Sequence, residues 1–129
     1  MMMKYKGRFL LFNSINNHGC GEDVVPDDCD IQFPEYVPVF WDFNRFDLVG
    51  TAHIFKDENG LNAEITIDAF SEVRFKEHDV EIGVGGYYDE IEYDASANGV
   101  LTVKKARLSH LGMTLAPAND AYYLEIAEE

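Results

Sequence analysis

Basic side chains are scarce in this sequence: ten Lys and Arg stand against 24 Asp and Glu, a formal net charge of −14 with the histidines neutral. Affinity for nucleic acid comes largely from Lys and Arg displacing condensed counterions, so the shortage argues against direct nucleic-acid binding. Cysteine is scarcer still. Cys20 and Cys29 are the only two, too few for a disulfide framework, and without an export signal they read as reduced thiols. Polar Asn13 and Ser14 close the N-terminal apolar stretch before it reaches signal-peptide length. No segment approaches the ~20 consecutive apolar residues of a membrane span, so the expectation is a protein made in the cytoplasm and not held by a membrane. A phosphate-cradling glycine loop, a dinucleotide fingerprint and a nucleophile elbow are all missing. Neither a nucleotide-dependent enzyme nor a cofactor is expected.

What is present suffices for a folded core. Hydrophobic residues make up 47% and aromatics 13% of the 129 residues, far more than a chain held open by its own charge carries. That length argues for one domain over 1–129, and no repeat, low-complexity tract or linker divides it. Leu61 to Ala69 alternates apolar and polar residues, as a strand with one buried face must. Val80, Ile82 and Val84 keep the same period, as do Tyr122, Leu124 and Ile126. From Leu48 to Phe55 both alternating sets contain apolar side chains, which suggests a strand covered on both faces. Asp57-Glu58-Asn59-Gly60 predicts a tight hairpin in which Asn-Gly supplies positive φ angles. It is not a calcium loop, because the run of oxygen ligands and the closing Glu are missing. Ala95 to Gly99 predicts a second hairpin, joining Tyr87–Tyr93 to a strand from Val100 to about Leu108. Helical pattern is thin, about two turns over 70–77. Residues 14–38 hold three of the four prolines and read as an extended loop or arm. Together these predict a mainly β fold, a single small antiparallel β-barrel or sandwich with at most one or two short helices.

Few clusters carry chemistry. His18, Cys20 and Cys29 could offer zinc an imidazole and two thiolates, with Asp23, Asp27 or Asp28 as a fourth ligand. The spacing is not that of a zinc knuckle, and an irregular arm with two thiols explains it equally, so no metal is assigned. Asp89, Glu90, Glu92 and Asp94 crowd together, either as acid–base carboxylates or as a solvated edge that blocks unwanted strand addition. From Arg107 onward, Leu111, Met113 and Leu115 fall on one strand face and His110, Gly112 and Thr114 on the other, before a Pro117-Ala118-Asn119 turn.

That last stretch, with much of what precedes it, resembles the prohead maturation proteases of tailed phages. Gly7-Arg8-Phe9-Leu10-Leu11-Phe12-Asn13-Ser14 stands where the family has its opening strand, and Gly19–Pro26 where a Gly/Asp loop leads to Val-x-Pro. Pro38-Val39-Phe40-Trp41, Val49-Gly50, Gly60-Leu61, Ile82 to Tyr87 and Pro117-Ala118-Asn119 follow in the family's order. The resemblance implies an assemblin-like β domain. It also places the family's nucleophilic Ser at Gly112 and the preceding Glu at His110. The catalytic His belongs near Trp41, where Asp42 and Phe43 stand instead. Serine proteolysis needs a hydroxyl and an adjacent base, and Gly112 has no side chain. Thr114 shares that face roughly 6–7 Å along by strand rise, with His110 as the base at hand, whereas Ser109 points to the opposite face.

The resemblance with its missing nucleophile points to a non-catalytic phage head protein, a capsid structural, auxiliary or assembly component carried in the virion. Its implied partners are the major capsid protein, other head proteins or a second copy of itself. An acidic domain in such a particle would sit on the outer shell or at protein seams, since packaged DNA would repel it. The alternative is an active maturation protease cleaving capsid or scaffold protein with Ser14 or Ser109 paired to His53 or His110. A second alternative is an acidic inhibitor that mimics DNA, which predicts one contiguous carboxylate face.

Overall fold

The structure, a computed structural model, describes residues 3–18, 21–69, 71, 75, 81–94 and 99–128. Strands dominate the described residues: β1 (Lys4–Leu11), β2 (Ile15–Asn17), β3 (Glu22–Val24), β4 (Asp30–Gln32), β5 (Tyr36–Trp41), β6 (Leu48–Lys56), β7 (Gly60–Ile67), β8 (Gly83–Asp94), β9 (Val100–Thr114) and β10 (Glu125–Glu128). The fold is mainly β, as the alternation predicts. One sheet runs β10-β1-β7-β6-β5-β9-β3-β2, with β4 and β8 also paired to β9. It curls into an open half-barrel. The backbone bridge between Gly83 and Tyr123 and the Leu124 amide donating to the Ile82 carbonyl at 2.8 Å tie its two margins. Fully buried Ile65, Ile67, Val49, Val39, Leu111 and Met113 line the inner surface.

The spine is β9. One edge pairs antiparallel with β8; the other carries β3, β4 and β5 in turn, all parallel. This accounts for residues 14–38, read from sequence as a loop or arm: that segment holds β2, β3, β4 and the start of β5. An uncovered edge of β9 would leave a row of unpaired backbone groups, and short parallel pieces too brief to show a period satisfy it. The strands expected over Val100–Leu108 and Leu111–Leu115 are one, ending at Thr114. Leu108 and Leu111 are three apart yet both buried, because Ser109 has no opposite number between the pairs Tyr88↔Leu108 and Tyr87↔His110. Such a bulge shifts side-chain parity by one.

A second bulge corrects the reading of β6 as covered on both faces. Val49 has no partner between Val39↔Gly50 and Phe40↔Leu48, so Val49 and Ala52 both point inward while Leu48, Thr51 and Phe55 are exposed. The β6–β7 hairpin forms where expected, by another device. Neither Asn59 nor Gly60 has a positive φ; instead Asp57 Oδ1 accepts the Asn59 and Gly60 amides at 2.8 and 2.9 Å, an Asx-type turn. Gly60 is required by closeness, since a Cβ there would overlap the Leu10 carbonyl oxygen. In the second hairpin Gly99 takes φ +77°, whereas 95–98 lie outside the described residues. Tyr122 belongs to a 3-10 turn (Asp120–Tyr122) and not to a strand. Val80, and the helix expected over 70–77 apart from Ser71 and Phe75, also lie outside the described residues. Asp68 Oδ1 accepts the Ser71 amide at 2.8 Å, as a helix N-cap would.

Candidate functional site

Parallel pairing of β5 with β9 sets Phe40 beside Gly112 and Trp41 beside Met113. Immediately after Trp41 the chain reverses: the Asn44 amide donates to the Trp41 carbonyl at 2.9 Å, and Asp42 and Phe43 take φ +51° and +60°. Two successive left-handed residues make a type I′ turn. Each costs about 1–2 kcal/mol for a residue with a Cβ, so the surroundings must hold them. The Asp42 amide donates to the Met113 carbonyl at 2.7 Å, and the Thr114 hydroxyl reaches Asp42 Oδ1 at 3.4 Å. The turn lays the Phe43 ring over Gly112 and Gly85, which face each other across β9 and β8. A Cβ on Gly112 would lie 2.6 Å from Phe43 Cγ, and one on Gly85 3.0 Å from Cζ. The nucleophile position implied by the resemblance is thus filled by an aromatic ring.

Asp42, Phe43, Gly112 and Thr114 therefore converge at the turn. The Thr114 hydroxyl donates to Asp42 and accepts the Ala116 amide at 3.1 Å, so it serves the turn. His110 is buried, stacked on Tyr87 at 4.7 Å and edge-on to Phe40 at 5.1 Å. Burial pushes its imidazole below the usual range, the Arg45 charge adds to this, and Asp89 opposes it. Its Nδ1 meets Ser109 Oγ at 3.0 Å. Among the described residues no carboxylate bonds the opposite ring nitrogen, so the orienting third member of a triad is missing there. Ser14 Oγ accepts from Asn119 Nδ2 at 3.1 Å. His53 lies elsewhere on β6, between Tyr36 and Phe55 and 3.5 Å from Glu35. Of the four residues considered for a displaced Ser/His pair, only Ser109 and His110 touch.

Two of the three zinc candidates, His18 and Cys29, are among the described residues. His18 Nε2 is 3.0 Å from Asp23 Oδ2, a hydrogen bond that raises the imidazole's affinity for its proton against the effect of burial. Cys29 is buried, and burial pushes its thiol up; Cys20 lies outside the described residues. Among the described residues no cluster of three or more His, Cys, Asp or Glu could hold a metal. The acidic run on β8 is a surface ion cluster: Arg107 bonds Asp89 at 2.8 and 3.2 Å and approaches Glu90 at 3.6 Å. Those bonds hold the Asp89 carboxyl below its usual range. Exposed pairs of this kind contribute little to stability.

Two features escape a reading of the sequence. Across the outer face of β6, β5, β9 and β8 run two aromatic groups, Tyr36–His53–Phe55 and Phe40–His110–Tyr87, and Phe46 and Leu48 stand exposed beside them. Period two in β5 would mark Tyr36 and Phe40 as sharing a face; their partners across the sheet depend on the parallel pairing, which has no local signal. The second is a cavity of about 660 Å³ inside the half-barrel, between β8, β9 and the short strands β2 and β3. Among the described residues no helix is long and apolar enough to cross a membrane. Comparison with known proteins gives no match: no family model, no curated protein and no solved structure aligns with the chain.

Proposed function

We propose that this chain is a non-catalytic head protein of a tailed bacteriophage, built on a prohead-protease-like fold and acting in capsid structure or assembly through protein–protein contacts. The observation that carries the reading is the Phe43 ring lying on Gly112. The ordered resemblance puts a serine hydroxyl at that position, and here a strained turn and two facing glycines give the space to a ring. The exposed aromatic and aliphatic side chains of the outer face, Tyr36, Phe46, Leu48 and Phe55, supply the kind of anchors that dominate protein interfaces. The partner is the major capsid protein or another head protein, and the net charge of −14 favours the outer shell or a seam over the DNA-filled interior.

The maturation-protease alternative has one contact in its favour, Ser109 Oγ on His110 Nδ1 at 3.0 Å. One experiment separates the two readings. Purified chain is mixed with the coat protein of the phage whose genome encodes it, and the mixture is followed by size exclusion and by gel. Co-elution without cleavage, weakened by Tyr36→Ser with Phe46→Ser, is expected. Cleavage of the coat protein, abolished by Ser109→Ala or His110→Ala, would overturn the proposal.

A further inference from the structure

The cavity inside the half-barrel has an apolar wall of Phe9, Val25, Ile31, Ile91, Val103 and Ala106 and a polar end built from β2, β3 and the 3-10 turn. At that end the hydrogen bonds close on themselves. The Tyr122 hydroxyl accepts the Leu11 amide at 2.8 Å and donates to Asn16 Oδ1 at 2.6 Å. Asn16 Nδ2 donates to Asp23 Oδ1 at 3.3 Å, and His18 takes Asp23 Oδ2. One group is left out. Tyr88 lines the cavity, and its hydroxyl is the sole buried side-chain polar atom among the described residues with no hydrogen-bond partner. Gly86 makes room for it, since a Cβ there would stand 2.9 Å from the hydroxyl oxygen.

Buried donors without partners are rare in folded proteins because each carries its full desolvation cost. A volume of about 660 Å³ falls within the range of small-molecule pockets, which are mostly apolar with a few placed polar groups. Ile91 and Tyr93 line the same space and remain partly exposed at its mouth. From these features we infer that the half-barrel binds an uncharged, mainly apolar small molecule that presents one hydrogen-bond acceptor, a carbonyl or ether oxygen, to the Tyr88 hydroxyl. Charge on the ligand is disfavoured, because among the described residues the ionisable acid and base groups of the lining besides its tyrosines are Asp23 and His18, which already pair with each other at 3.0 Å and leave no free charge to offset the desolvation of an ion. Burial raises the Tyr88 hydroxyl's affinity for its proton, with Tyr122, Asp23 and Cys29 adding to the effect, which keeps it a donor.

The test uses the full chain and Nile red, a neutral polycyclic dye with a carbonyl acceptor, in a fluorescence titration with Tyr88→Phe alongside. The proposal expects saturable one-to-one binding, with nuclear Overhauser contacts from the dye to the Ile91 and Val103 methyls. Loss of a single neutral hydrogen bond in Tyr88→Phe should weaken binding by about twofold to tenfold, while the ligand-free variant melts higher than the parent chain. Tyr88→Phe keeps the ring and its packing, so it should fold. Binding that does not saturate, an affinity unchanged in Tyr88→Phe, or contacts confined to Leu48 and Tyr36 on the outer face would each overturn the inference.

Discussion

Substituting Gly112 with serine sets a hydroxyl where the resemblance to the prohead proteases would place a nucleophile, and the structure predicts damage in place of activity. The new Cβ would lie 2.6 Å from Phe43 Cγ and Cδ1 and 2.7 Å from Cδ2. These atoms sit at the base of the ring, so spinning the ring about its own axis does not help; the turn that carries φ +60° at Phe43 must move. Overpacking of this kind costs about 1–3 kcal/mol, and at roughly 4 °C per kcal/mol for a chain of this length, Tm should fall by about 4–12 °C. The assay is urea and thermal unfolding by circular dichroism on Gly112→Ser, Phe43→Gly and the double variant. Phe43→Gly loses ring burial but relieves about 1–2 kcal/mol of left-handed strain and frees the space, so serine should cost little in that background. A coupling energy of at least about 1 kcal/mol is expected between neighbours that compete for one volume. If serine costs the same with and without the ring, or if Gly112→Ser alone gains hydrolytic activity, the steric account of this site is wrong.

Two tyrosines that end in the same cavity should respond to loss of the hydroxyl with opposite sign. Tyr122→Phe strands the Leu11 amide and Asn16 Oδ1 and should cost about 2–4 kcal/mol, whereas Tyr88→Phe removes a hydroxyl that has no partner and should stabilise by about 1 kcal/mol; equal signs in urea unfolding would refute the hydrogen-bond accounting. Burial also pushes the Tyr122 hydroxyl up to about 12, so at pH 11 it should remain mostly protonated, read as little difference in phenolate absorbance between the parent chain and Tyr122→Phe. Stability against pH should carry two opposed histidine contributions. His110 binds its proton more weakly folded than unfolded, so its contribution is present above about pH 6.5 and is lost as pH falls below it. His18 binds its proton more tightly folded, so its contribution is present below about pH 6.5 and is lost as pH rises through the raised folded value. Unfolding midpoints at pH 5 and 8 should show the acid-side loss vanish in His110→Phe and the acid-side gain vanish in His18→Gln; an acid-side loss that survives His110→Phe would contradict the first assignment.

Local patterns were legible and long-range ones were not. Alternation through Leu61–Ile67 predicts β7, and the hairpins at Gly60 and Gly99 form where glycine marks them. Parity failed wherever a bulge intervened, at Val49 and at Ser109, because a bulge is set by the partner strand's register and leaves no mark on its own strand. The segment 14–38 resisted reading because three-residue strands are too short for any period, and their stability comes from the exposed edge of β9, eighty residues away in places. At the site, the lack of a side chain at position 112 could be read from Gly112 alone. What fills the space could not, since nothing in Trp41-Asp42-Phe43-Asn44 announces a type I′ turn usually made by Asn and Gly. The unpartnered hydroxyl of Tyr88 depends on four separate elements closing a hydrogen-bond network without it, a property of the assembled barrel.

The proposal makes one central claim, that this chain is a resident component of a phage head and not its processing enzyme; the charge of −14, the Phe43 ring on Gly112 and the exposed aromatic face support it. Quantitative mass spectrometry of purified particles, from the phage whose genome encodes the chain, tests that claim most directly. The account predicts the intact chain in mature particles at a fixed ratio to the coat protein, set by the capsid lattice. Absence from mature particles, together with coat protein that goes unprocessed when the gene is deleted, would contradict it.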